Sequence, residues 1–144
     1  ANGWEVLEGA IWRVKGVLDE KGIKLVIIYV PSKEEIYLPY VEPDYELILK
    51  MAFFGEETPK DILPADFYGK VLHNSVSAEL ALEGLCKRQG VEFFSPRIYF
   101  KNFAVSGQLG YLSADTHWLP SGQRVLTEPL INFLRHKNYI KDNK

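Results

Sequence analysis

Val6, Leu7, Ala10, Ile11, Val14, Val17 and Leu18 recur at helical spacing, and Gly22 stands where a helix end takes a left-handed residue. Directly after it, Lys24–Val30 (KLVIIYV) is a near-continuous apolar run of strand length, the mark of a strand covered on both faces. Helix, glycine and buried strand make half of a parallel α/β unit. Pro31 stops the strand. Ser32-Lys33-Glu34-Glu35 then follows at its C-terminal end, where α/β sheets usually carry their working loops.

Residues 41–70 are less regular and read as an insertion, with a helical stretch at Tyr45–Phe54 and a polar loop at Gly55–Pro64. Ala78, Ala81, Leu82, Leu85 and Cys86 mark another helix, closed by Lys87-Arg88-Gln89-Gly90, and Val91–Ser95 (VEFFS) reads as a second parallel strand. Leu80–Phe94 thus repeats the grammar of Val14–Tyr29, an architectural repeat and not a sequence repeat. Ile98–Val105 is expected as a short helix, and Gly107 and Gly110 bracket a turn into Tyr111-Leu112. Val125, Leu126, Pro129, Leu130, Phe133 and Leu134 line one side of a final helix in which Pro129 predicts a kink or a late start, and Lys141–Lys144 reads as a frayed polar tail.

Composition narrows the partners. A chain of 144 residues with 47% hydrophobic content is of a size for one domain with its own core. With 17 basic against 19 acidic residues it has no basic stripe for phosphates, which argues against nucleic-acid and anionic-membrane surfaces. The single cysteine, Cys86, excludes an internal disulfide and a cysteine metal cluster, and its place on an apolar helix face makes it a small buried hydrophobe. The longest apolar run, Leu25–Pro31, is too short to cross a membrane, so no direct membrane insertion is expected. Ala1 in place of an initiator methionine, and a helix starting almost at once, lead us to expect an N-terminal part of the same protein upstream.

The candidate chemistry lies in Asp115-Thr116-His117-Trp118-Leu119-Pro120-Ser121-Gly122, ahead of the last helix. In an extended segment residues i and i+2 point the same way, so Asp115 and His117 can face one cleft. A histidine general base needs its tautomer fixed, commonly by a carboxylate accepting from one ring nitrogen while the other takes a proton from a serine. The plain alternative for the triplet is a solvated turn with one packed histidine.

The whole octet resembles the C-terminal motif of SGNH (GDSL-like) hydrolases and of the related acyltransferase domains of the alginate O-acetyltransferase type. Gly22–Tyr37, a buried strand ending in Pro31-Ser32-Lys33 with a tyrosine after it, resembles a second element of that group. The likeness spans about residues 5–136, interrupted at 41–70. It implies an α/β fold, three-layer α/β/α and flavodoxin-like with a parallel sheet, incomplete in this chain. It also implies a Ser-His-Asp mechanism on an acyl ester or acetylated carbohydrate, with His117 as general base, Asp115 as its orienting partner, no cofactor and no metal. An extracytoplasmic setting goes with the resemblance, although the residues leave the compartment open. The Gly-Asp-Ser triplet of that family is absent, and its oxyanion donors find no counterpart; Asn2 only lies near where the asparagine block ends. The nucleophilic serine is therefore expected outside this chain. Asp-x-His in place of the common Asp-x-x-His favours the acyltransferase branch.

Other residues carry weaker readings. Ser32 follows a buried strand but lacks a Gly-x-Ser-x-Gly elbow and reads as a cap for Lys33–Ile36; Lys33 reads as a surface lysine. His73 and His136 sit at helix ends, and Phe93, Phe94, Tyr99, Phe100 and Phe103 read as core. Two other functions stay open: a non-catalytic α/β binding module for a glycan or protein, and a metal-dependent hydrolase using Asp115, His117 and a distant glutamate.

Overall fold

The structure, a computed structural model, describes residues 2–53, 57, 60–113 and 115–141. Helix α1 (Gly3–Asp19) opens on a capping box in which Asn2 Oδ1 accepts from Glu5 N–H and Glu5 accepts from Asn2 N–H. It ends at a left-handed Gly22 (φ 67°) that turns the chain into strand β1 (Val26–Ile28). Then come α2 (Lys33–Tyr37), a 3-10 turn at Leu38–Tyr40, α3 (Tyr45–Ala52), α4 (Pro64–Asn74) and α5 (Ser77–Gln89). Left-handed Gly90 (φ 65°) closes α5 ahead of β2 (Glu92–Phe94), and α6 (Arg97–Val105) and α7 (Pro120–His136) complete the chain.

The expected three-layer α/β/α fold is corrected by the structure. Among the described residues 62% are helical, and the sheet consists of two short parallel strands. Lys24–Val30 and Val91–Ser95 alone carry strand patterning in the sequence; the wider sheet came from the resemblance. Even these runs pair only as Val26 with Glu92, Ile27 with Phe93 and Ile28 with Phe94, because Pro31 and Pro96 follow close behind and cannot donate to a ladder. Nor is the apolar run covered throughout: Ile28 in β1 and Val30 beyond it remain 38% and 59% exposed.

The ribbon still separates two packing faces. Leu25, Ile27 and Phe93 join Ile11 of α1, Leu85 and Cys86 of α5, and Val91 in one apolar cluster. On the alternate residues, Phe94 meets Phe133 of α7 with ring centroids 5.1 Å apart, and Glu92 pairs with Lys137 at 2.7 Å. A second cluster, Ile36, Phe100 and Tyr111 with Trp118, Val125 and Leu126 around it, joins α2, α6 and α7.

The expected loop at 55–64 falls partly outside the described residues, as do Phe54 and, in the tail, 142–144. Within 41–70 the structure has helices: α3 and α4 pack together through Tyr45 on Tyr68 and Phe53 on Phe67. Pro64 at the first turn of α4 and the spacing of Phe67, Tyr68, Val71 and Leu72 account for that helix. Helix α7 runs through Pro129 with no break at that residue.

One close approach fixes the start of α7. A Cβ on Gly122 would collide with the Gly110 carbonyl, lying 2.9 Å from its carbon and 3.2 Å from Gly110 Cα. Both partners are backbone, so neither can rotate away. Gly122→Ala is expected to cost about 2 kcal/mol in chemical denaturation, in the range of overpacked cores. Wild-type stability in that variant would show that α7 does not rest on Gly110.

Candidate functional site

A short hairpin carries the candidate residues. Tyr111 and Trp118 form an antiparallel bridge; Leu112 N–H donates to His117 O at 2.8 Å, and Leu119 N–H donates to Gly110 O at 2.9 Å. Asp115 and His117 are thus brought together by a turn, and not by the extended segment expected from the sequence. Asp115 Oδ1 accepts the His117 main-chain N–H at 2.8 Å, the side-chain-to-backbone bond of an Asx-turn, and lies 3.3 Å from His117 Nδ1. The His117 main-chain N–H, followed by the ring, holds the Asp115 carboxyl below the usual carboxylate range.

This pair stands on the surface. The His117 side chain is 84% exposed and that of Asp115 47%. A groove of about 700 Å³ lies elsewhere, between α1 and α5, lined by Trp12, Arg13, Lys15, Arg88 and Gln89. With Nδ1 toward Asp115, the ring presents its other nitrogen to solvent. Chemically, the pair can accept a proton from a hydroxyl brought to it and stabilise the imidazolium that results.

The hairpin is anchored from below by the segment after β1. Tyr111, 2% exposed, donates its hydroxyl to Pro31 O at 2.8 Å, and burial pushes that phenol far above its ordinary range. Tyr37 OH accepts from Gly110 N–H at 2.7 Å and donates to Gln108 O at 3.1 Å. Lys33 Nζ donates to Leu112 O at 2.9 Å and Ser113 O at 2.8 Å. The two stretches singled out in the sequence, 22–37 and 115–122, are therefore adjacent in space, and the hairpin sits at the C-terminal end of β1. Ser121 Oγ donates to Leu109 O at 2.8 Å, which holds the first turn of α7 to the same loop. Phe100 stacks under Tyr111 and Trp118 at 5.4 and 5.1 Å between centroids, so Trp118 serves as the floor of the hairpin.

The remaining candidates lie elsewhere. Ser32 accepts from Glu35 N–H at 3.2 Å as the cap of α2, in a capping box with Glu35. His73 and His136 are exposed in the last turns of α4 and α7. Cys86 is fully buried, and burial pushes its thiol up. Phe94 and Phe100 are core while Tyr99 is 43% exposed, so the aromatic run divides between faces. Among the described residues no group of three or more His, Cys, Asp and Glu is placed to hold a metal ion.

Sequence reasoning missed a buried ionic network beside the anchor. Arg97, its side chain 7% exposed, meets Glu35 at 2.7 Å through Nη2, Glu79 through Nε, and the Ser75 carbonyl. Glu35 also accepts from Tyr29 OH at 2.6 Å and Ser32 N–H at 2.5 Å. The Ser32-x-x-Glu35 spacing gave a signal, but it identifies a cap and says nothing of a distant arginine. Comparison with known protein families, with curated proteins and with solved structures gives no match.

The network makes stability depend on pH in a stated direction. Burial raises the Glu35 carboxyl, but hydrogen bonds from Tyr29, Ser32 N–H and Arg97 outweigh it and leave it below its ordinary 4.5. A depressed carboxyl contributes stability that is complete above the unfolded value and lost as pH falls through the folded one. Burial, then the bond to Glu35, pushes Tyr29 up to about 12, so its contribution is lost as pH rises past 10 toward that value. The stability advantage of wild type over Glu35→Gln, measured by urea unfolding, should therefore shrink on acidification below 4.5. An advantage constant with pH would contradict the network.

Proposed function

We propose that this chain supplies the histidine and aspartate of a Ser-His-Asp site, as part of an SGNH-like serine esterase or O-acyltransferase acting on ester-linked acyl groups. Acetyl groups on carbohydrate are one substrate class within that reading. The observation that carries the reading is His117 Nδ1 lying 3.3 Å from Asp115 Oδ1 on a side chain that is 84% exposed. Further support comes from the contacts of Lys33 and Tyr111, which bring the two stretches of the resemblance, 22–37 and 115–122, side by side.

In this reading a serine from outside the chain attacks the acyl carbonyl. His117 takes the serine proton and later returns it to the leaving oxygen, and Asp115 holds the ring and stabilises the imidazolium. Hydrolysis and transfer differ only in whether water or a second hydroxyl takes the acyl group from serine.

The test is turnover of a chromogenic acetyl ester by the protein encoded by the full gene and by its His117→Ala and Asp115→Asn variants. Loss on the order of 10³-fold or more in kcat is expected for each, while the isolated 144-residue chain is expected to be inactive. Unchanged turnover in the His117 variant would refute the assignment. No turnover by the intact protein on acyl esters would favour the alternative, a non-catalytic module that binds a glycan or protein.

A further inference from the structure

An exposed lysine ordinarily leaves its ammonium in water, because the group is strongly hydrated and ordering its four-carbon stem costs entropy. Lys33 does otherwise. Its Nζ donates to two successive carbonyls, Leu112 and Ser113, 79 and 80 residues away in sequence. Those carbonyls stand just before Asp115. The base of the hairpin already has its own ties, from Tyr37 to Gly110 and Gln108 and from Tyr111 to Pro31. Lys33 reaches past that base to the segment that leads into the turn.

We propose that Lys33 is the positioning residue of the Asp115–His117 pair: by clamping the 112 and 113 carbonyls it sets the direction in which the chain enters the Asx-turn. The stem is aimed by its place at the first position of α2, where Pro31 ends the strand and Ser32 caps the helix. Two successive carbonyls converging on one ammonium fix the backbone direction at Ser113, as a single bond would not. Beyond that point Asp115 Oδ1 accepts the His117 N–H at 2.8 Å and lies 3.3 Å from Nδ1. The charged groups acting on Asp115 are His117 on its own loop and Lys33 from α2, and both favour the carboxylate. The proposed acyl-transfer role gives this clamp its purpose, but its geometry is measurable without any activity.

The experiment compares wild type with Lys33→Met, Lys33→Arg and Tyr37→Phe by NMR, following the Asp115 carboxyl titration and hydrogen exchange at the His117 amide. In Lys33→Met the Asp115 midpoint is expected to rise by roughly half a pH unit and the His117 amide to exchange about tenfold faster. Lys33→Arg, which keeps charge and donors, is expected to restore most of both. Tyr37→Phe is expected to lower the denaturation midpoint while leaving both readouts near wild type. Should Lys33→Met fail to fold, Lys33→Gln tests the charge in the same way, since its neutral amide keeps N–H donors and removes the ammonium. A Lys33 variant of lowered stability but wild-type Asp115 titration and His117 exchange would overturn the proposal and reduce Lys33 to a tie between segments. An inactive full-length protein that still shows the Lys33 effects would refute the acyl-transfer reading and leave the clamp standing.

Discussion

The buried Tyr111 hydroxyl and its bond to the Pro31 carbonyl decide where the candidate site can be. A buried hydroxyl left unsatisfied costs about 1–3 kcal/mol, more than an average hydrogen bond contributes, so the hairpin cannot slide along β1 without a penalty. Tyr111 also lies between Tyr37, Phe100 and Trp118, with edge-on contacts to Tyr37 at 5.9 Å and Trp118 at 6.4 Å. Once that residue is seated, Gly110 comes within backbone contact of Gly122, and the entry to α7 is set as well. Asp115 and His117 are surface residues whose placement is dictated by a neighbour in the core.

The ionic network around Arg97 does related work one layer down. It joins the end of β1 through Tyr29, α2 through Glu35, α5 through Glu79 and the start of α6 through Arg97 itself. Burying charges of both signs is costly, and an apolar replacement of equal shape often does as well for stability. What the network adds is geometry, since an arginine with Nη2 on Glu35 and Ser75 and Nε facing Glu79 permits few alternative packings of those elements. Glu35 belongs to both systems: it completes the cap beneath Lys33 and accepts from Arg97.

Much of the local structure was legible in the sequence. Gly22 and Gly90 ended helices at left-handed turns, the apolar runs around Ile27 and Phe93 became the parallel pair, and Ser32 with Glu35 capped α2. The wider sheet was not legible, because residue patterning supported two strands and the rest was carried by likeness to a family. Helix α4 escaped because its apolar positions are only half buried and a polar loop precedes it, although Pro64 was a readable start. The Asp115–His117 spacing was visible, yet its geometry was not. Proximity comes from an Asx-turn inside a hairpin, and the entry to that turn is tied by Lys33, 79 and 80 positions away in sequence. Long-range partners of Lys33 and Arg97 have no signature in a single sequence, since neither residue type nor spacing names an acceptor that distant.

The account therefore turns on the state of one imidazole. An aspartate at Nδ1 should hold the neutral ring as the Nδ1–H tautomer and leave Nε2 as a free acceptor for a hydroxyl. Long-range nitrogen–proton NMR on the neutral imidazole of His117 reads that tautomer directly. A predominant Nδ1–H form that is lost in Asp115→Asn is the predicted result. A ring protonated mainly at Nε2, unaffected by the change at Asp115, would contradict it.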